Sequence, residues 1–216
     1  MDLAIFGGSF NPPGRHHRQI AEELSRHFER VVVVPCGPRD DKPKTSDLEA
    51  IHRAAMVDMN FRGLPKVRVD LFDLEANTFT RTHQLEDRYQ EEGTPWHVVG
   101  ADLLQGGGRG ESFIQRVWEN GPQVWNQLRF AVVDRPGYEL AEEDLPPHHR
   151  RISVAELGAS TDIRSRLFHR ESVDGLLPPG AFFCPRSKSS TAQERPINWF
   201  SASFETTARL GPSLGA

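Results

Sequence analysis

Cysteine is nearly absent: Cys36 and Cys184, far apart in 216 residues, are the only two. That excludes a disulfide framework and suits a reducing compartment holding two ordinary thiols. Long apolar runs are missing as well. Only Leu3 to Phe6 precedes Gly7, with no basic leader ahead of it, and no stretch approaches the roughly 20 apolar residues that span a bilayer. The expectation is a cytoplasmic protein without a membrane partner. An excess of positive charge is lacking too, since 26 basic against 30 acidic residues give a net charge of -4. No global basic field can then hold a nucleic-acid backbone or an anionic membrane, so any phosphate site must be local. Among the basic residues only Lys42, Lys44, Lys66 and Lys188 are lysines, a bias from which no function follows. Internal repeats are absent, and a homo-oligomer is compatible with the composition.

What is present alternates short β-branched runs with amphipathic stretches, the pattern of βαβ units. It predicts an α/β protein with a Rossmann-like, open, mostly parallel sheet and helices on both faces. Leu3 to Phe6 reads as the first strand, and Val31 to Val34, closed by Pro35, as a second strand covered on both sides. Between them Ile20, Ala21, Leu24 and Phe28 recur at helical spacing, predicting a helix from about His17 to His27. Ser46 followed by Glu49 has the form of a capping box ahead of a second helix, with Leu48, Ile51, Ala55, Met56 and Met59 as its apolar stripe and Gly63 and Pro65 ending it. Further strands are expected at Val67 to Phe72, His97 to Val99 running into Gly100, Phe130 to Val133 and Arg151 to Val154. Helices are expected at Thr82 to Gln90, at Thr161 to His169 with Ser160 or Thr161 as cap, and after Pro178. The glycine-rich run Gln105 to Gly110 predicts a flexible surface loop with no catalytic role. Asp40, Asp41 and Glu142 to Asp144 read as solvated loop charge. One domain is expected over residues 1–184. Residues 185–216, rich in Ser, Thr, Ala, Pro and Gly, read as a poorly ordered tail.

Chemistry concentrates in Gly7-Gly8-Ser9-Phe10-Asn11-Pro12-Pro13-Gly14-Arg15-His16-His17, between the first strand and the first helix. Glycines at such a junction let backbone amides approach a phosphate, and the helix start adds partial positive charge. Arg15, His16, His17 and Arg18 supply local cations. The spacing matches neither G-x-G-x-x-G nor a Walker A loop, so neither a dinucleotide-dependent dehydrogenase nor a P-loop NTPase is indicated. The pairs His16-His17 and His148-His149 do not read as metal sites, because adjacent side chains diverge on a helix and no further ligands complete a cluster.

The opening Gly-Ser-Phe-Asn-Pro-Pro resembles the HxGH-type nucleotidyltransferases, and among them the nicotinate or nicotinamide mononucleotide adenylyltransferases. Further matches follow in the family's order: Lys42 and Lys44, Arg53 and Met56, Gly100-Ala101-Asp102-Leu103, Trp118, Arg135-Pro136-Gly137-Tyr138, and Ser160-Thr161-Asp162-Ile163-Arg164. The resemblance spans roughly residues 1–184 and implies an enzyme joining ATP, with Mg2+, to a pyridine mononucleotide, nicotinate mononucleotide foremost. It implies direct attack of the mononucleotide phosphate on the α-phosphate of ATP, a step that needs positioning and charge neutralisation. His17 would then donate to the departing phosphates, Arg164 and the Ser160-Thr161 helix start would hold the β and γ groups, and Lys42 or Lys44 would add a cation. Gly8, Ser9, Phe10, Asn11, His16 and Gly100 fall in the implied ATP site. Asp102 would meet a ribose hydroxyl or the metal shell, and Trp118 would stack on the pyridine ring. Thr80 and Thr82, in an echo of the family's substrate segment, and Arg135 are the other implied substrate residues.

Two departures stand out. Gly14 occupies the place of the family's first signature histidine or threonine, and His16 the place of its glycine. Either His16 supplies the missing donor, or backbone amides freed by Gly14 do. The choice between acid and amide mononucleotide stays open on these residues. Two rivals share the motifs: an adenylyltransferase with another acceptor such as pantetheine phosphate, and a nucleotide-binding protein without turnover.

Overall fold

The computed structural model describes residues 1–39, 49–134, 139–155 and 158–177. Its centre is the valine run of β2 (Arg30–Pro35) beside β1 (Asp2–Gly8), with Ile5 opposite Val32 and Phe6 opposite Val33. The other strands are β3 (Val67–Val69), β4 (Thr94–Gly100), β5 (Phe130–Val133) and β6 (His149–Ile152), and the described strands form one six-stranded sheet. Every pairing is parallel, in the order β3-β2-β1-β4-β5-β6. The chain steps outward from β1 to β3, returns, and continues from β4 in the opposite direction. In such a sheet the crevice opens beyond the carboxyl ends of the two strands at the reversal, here β1 and β4.

Alternating side chains of the strands go to opposite faces, as the pleat requires. Ala4, Phe6, Val31 and Val33 pack with Ile20 and Leu24 of α1 (Arg15–His27) and with Val57 and Phe61 of α2 (Ala50–Phe61). Leu3, Ile5, Val32 and Val34 turn the other way; α3 (Phe72–Glu75) adds Phe72 to their cluster, and α4 (Thr82–Tyr89) adds Leu85 and Tyr89. Beneath β5, Val132 meets Ile114 of α5 (Phe113–Val117) and Val124 and Trp125 of α6 (Gly121–Gln127). The last described helix, α7 (Ser160–Phe168), buries Ile163. No described helix is long and apolar enough to cross a membrane.

Several local expectations are corrected. Helix α1 starts two residues before His17, because Gly14 takes the extended N-cap conformation. Helix α2 begins after Glu49, which is its N-cap without a side-chain hydrogen bond rather than a residue of its first turn. Ile51 and Ala55 are exposed, and the buried face of α2 is Arg53, Met56, Val57, Asn60 and Phe61 instead. The third strand stops at Val69, and Phe72 opens α3. The sixth strand begins at His149 and ends at Ile152. Neither Ser160 nor Thr161 caps α7; Ala159 is its N-cap, without a side-chain hydrogen bond. Ser46, Leu48, Cys184, the helix expected after Pro178 and the tail 185–216 lie outside the described residues.

The glycine-rich run is the largest correction. It is packed, and a Cβ on Gly107 would sit 2.5 Å from the Asp144 carbonyl oxygen and 2.5 Å from the Trp125 ring. The Gly108 N–H donates to Asp144 Oδ1 at 3.1 Å, so that carboxylate is structural and not merely solvated. Glycine is abundant here because two backbones and an indole approach closely, a reason the composition does not distinguish from flexibility. Gly107→Ala should therefore cost about 1–3 kcal/mol in chemical denaturation. A change within about 0.5 kcal/mol, usual for open loops, would contradict the packing.

Candidate active site

A cavity of about 800 Å³ opens where β1 and β4 end, lined by Gly8 and Ser9 on one side and Gly100 and Asp102 on the other. Phe10 lies behind the loop that lines it. This residue holds a left-handed φ of 43°, which strains a bulky side chain, and its ring is 1% exposed. It packs edge-on against Phe6 at 5.3 Å, Phe61 at 5.6 Å and the His17 ring at 5.0 Å. A Cβ on Gly8 would stand 3.1 Å from that ring. Phe10 was expected among the ATP contacts; the structure buries it away from the cavity lining, with its ring against His17.

His17 lies on the first turn of α1 and lines the cavity. The Gly14 N–H donates to His17 Nδ1 at 3.0 Å. A ring nitrogen that accepts carries no proton, so in the neutral imidazole the proton sits on Nε2 and makes that atom a donor. His16, 8% exposed, also borders the cavity, and the two rings lie 3.9 Å apart at 40°. The expectation that these neighbours diverge is thus corrected: His16 folds back over the helix start and stacks on His17.

Facing them, Ser160, Thr161 and Arg164 of α7 line the same cavity. Arg164 Nη1 donates to the Asn11 carbonyl, and its Nη2 donates to Thr161 Oγ1 at 3.1 Å. Ser160 Oγ donates to the Pro12 carbonyl at 2.9 Å. Asn11 therefore contributes its carbonyl to the α7 contact rather than a lining side chain. Across β4, a Cβ on Gly100 would stand 2.4 Å from Asp102 Oδ1, so the Asp102 carboxylate lies directly over the Gly100 backbone.

Thr80, Thr82 and Trp118 border the far end. Thr80 donates its hydroxyl to Asp73 Oδ1 at 2.6 Å and its N–H to Asp73 Oδ2 at 3.0 Å, so it orders the loop before α4. Asp73 is buried at 1% exposure. Residue-by-residue reading passed over a cation pair here. The Arg39 and Arg81 guanidiniums lie 4.4 and 5.1 Å from the Phe79 ring, and all three line the cavity. Arg81 Nε is 3.4 Å from Glu119, and His83 is 3.8 Å from the same carboxylate. The x-Arg-x-x spacing around Phe79 carried no signal, since the stack depends on a second loop. Phe113 and Val117, 44% and 57% exposed, add apolar wall beside Trp118. Lys42, Lys44 and Arg135 lie outside the described residues.

Beneath Ser9, Arg53 of α2 is 1% exposed and joins the loop to the end of β2. Its Nη1 donates to the Cys36 carbonyl at 2.7 Å and the Ser9 carbonyl at 3.1 Å. Burial draws the guanidinium below its ordinary pKa, with Cys36 opposing that shift.

The family model described as cytidylyltransferase-like matches residues 5–170, from β1 through α7. The chain belongs to that family. Among cytidylyltransferase-like relatives, a Clavibacter michiganensis protein named as a probable nicotinate-nucleotide adenylyltransferase is 29% identical over 191 residues, covering 83% of this chain and 88% of its own length. The nicotinate-nucleotide adenylyltransferase of Bacillus subtilis is 24% identical over 182 residues, covering 82% and 90%. The same fold occurs in Plasmodium falciparum nicotinic acid mononucleotide adenylyltransferase complexed with NaAD, with a TM-score of 0.66, 21% identity and coverage of 83% of this chain and 92% of that one. Within this cytidylyltransferase-like domain, Arg53→Leu should leave one buried and one half-buried carbonyl unserved and lower stability by about 2–4 kcal/mol in denaturant unfolding.

Proposed function

We propose that this protein is a nicotinate-nucleotide adenylyltransferase of NAD biosynthesis, acting in the cytoplasm on ATP and nicotinate mononucleotide. The observation that carries this reading is the His17 donor, oriented by the Gly14 N–H and sharing one cavity with Arg164. The mononucleotide phosphate oxygen attacks the α-phosphorus of ATP, the bond from that phosphorus to the bridging oxygen breaks, and pyrophosphate leaves. Negative charge gathers on the departing β-phosphate, where His17 Nε2–H, Arg164 and the start of α7 offer fixed donors. Each is already in place, so little reorganisation accompanies the step. A guanidinium carries five N–H donors, and Arg164 can grip a phosphate while still serving Asn11 and Thr161.

Magnesium fits as an ion carried by the nucleotide. Among the described residues no group of three His, Cys, Asp or Glu side chains gathers that could hold a metal by itself, whereas Mg2+ in such sites is held by phosphates with one or two carboxylates. Asp102 is the lining carboxylate beside the ends of β1 and β4, whereas Asp73 and Glu119 line the far end. When bound, the ion would neutralise phosphate charge.

Acid over amide is supported by the Arg39–Phe79–Arg81 stack, which brings two guanidiniums to this end of the cavity. A pyridine carboxylate held near that stack gains charge-assisted contacts that an amide does not. Trp118, with Val117 and Phe113, supplies the flat apolar surface for the ring. Neither rival reading has a comparable observation behind it.

His17→Ala should lower kcat by about a hundredfold or more, as loss of a donor to developing charge does; an unchanged kcat, followed by pyrophosphate release, would remove the role. Arg81→Gln should shrink the preference for nicotinate over nicotinamide mononucleotide in kcat/KM by about tenfold, the value of one charge-assisted hydrogen bond. Equal losses with both acceptors would place Arg81 outside the ring-recognition site.

A further inference from the structure

Gly14 and His16 sit where the resembling family has its histidine and glycine in the opposite order, and the structure gives that exchange a spatial meaning. A Cβ built on Gly14 would stand 2.7 Å from His16 Nδ1 and 2.8 Å from its Cε1. The His16 ring therefore fills the space in which any side chain on residue 14 would begin. Opposite, a Cβ on Gly158 would stand 3.1 Å from the same Nδ1. Gly158 directly precedes Ala159, the N-cap of α7, and Gly14 is the N-cap of α1. The imidazole is thus wedged between two helix starts, stacked on His17, with its remaining surface at the cavity.

This ring occupies the seam between the two elements whose starts line the cavity, it borders that cavity itself, and both flanking positions are glycines that make room for it. We infer that His16 is a second phosphate-contacting donor, reaching from two positions along the first turn into the place left by Gly14. The two glycines and the histidine form one unit, in which a side chain on residue 14 and an imidazole on residue 16 exclude each other. The inference rests on reading this cavity as the triphosphate site.

The decisive comparison is between His16→Phe, which keeps a ring of similar size for stacking but has no N–H, and His16→Gln, which restores a donor of similar reach. Affinity for ATP with magnesium is read by calorimetry without any mononucleotide, beside kcat/KM and melting temperature. His16→Phe should melt near the wild-type temperature yet bind ATP at least tenfold more weakly, and His16→Gln should recover part of that loss. A folded His16→Phe protein that binds ATP as the wild type does would overturn the assignment and leave His16 a packing residue. So would a Gln variant no better than Phe. If the wild-type protein itself fails to bind ATP, the reading of the cavity falls, and the His16 assignment falls with it. The reciprocal exchange gives an independent arm: Gly14→His with His16→Gly, made together with Ile163→Val to remove the Cδ1 methyl that lies 2.7 Å from the new Cβ. It should restore kcat/KM to within about tenfold of wild type, whereas His16→Gly alone should not; a folded exchange protein as weak as His16→Gly contradicts the proposal.

Discussion

The site depends on one tie between distant parts of the chain: Arg164 and Ser160 of α7 donate to the carbonyls of Asn11 and Pro12. Those partners are 153 and 148 residues apart. Helix α7 has few other anchors, with Ile163 its only buried residue. The Arg15 N–H adds a further link by donating to the Leu176 carbonyl at 2.8 Å. Buried or half-buried carbonyls demand partners, and a loop that turns sharply after β1 cannot satisfy its own. The turn's unmet acceptors are thus the reason α7 docks where it does. Two helix starts then face one cleft, and their partial charges reinforce each other there.

The proposed anion binding is compatible with a net charge of -4 because the donors it uses are local. Fixed donors spaced around a partly desolvated cleft act more strongly than scattered surface charge, and they are little affected by the sign of the whole. Rigidity beneath them matters equally. Phe10, held at positive φ by aromatic contacts, supports His17 from below, and Arg53 holds the Ser9 end of the same loop from the side. A loop braced on both flanks keeps its donors aimed before a ligand arrives, so the ordering cost falls on folding rather than on binding.

Elements whose fate is set by their own residues were legible in the sequence. The Val31 to Val34 run could only be a doubly covered strand, and Ile20, Ala21 and Leu24 could only line one face of a helix, with Phe28 packing just past its end. Phe130 to Val133 matched to the residue. Legibility failed where the outcome depends on partners from elsewhere. The apolar stripe expected on α2 left out Arg53, since nothing in the sequence says that the Cys36 and Ser9 carbonyls would need a buried donor. His16 and His17 were expected to point apart, as neighbours on a helix interior do; their place at the first turn, over a glycine, let one fold back. The guanidinium pair on Phe79 was invisible for the same reason, because Arg39 and Arg81 come from different loops.

The glycine-rich segment shows how composition misleads and what corrects it. Read alone, Gln105 to Gly110 is a linker, and its length would leave Trp118 loosely placed relative to Asp102. In the fold, Gln115 Nε2 donates to the Gly107 carbonyl at 3.2 Å, and Ser112, fully buried, caps α5 by accepting from the Gln115 N–H. Trp118 is the C-cap of that short helix, and its carbonyl accepts the Gly121 N–H at 3.0 Å. Gly121 in turn lies so close to α5 that a Cβ would meet the Ile114 carbonyl at 2.3 Å. The insert, α5 and α6 are therefore one rigid piece, with the indole of Trp125 pressed on Gly107 at its base and Trp118 at the cavity. Gly107 and Gly108 pack against the Asp144 and Glu143 carbonyls and the Trp125 ring, and those contacts, not the length of the connection between β4 and the tryptophan, fix the wall that Trp118 forms.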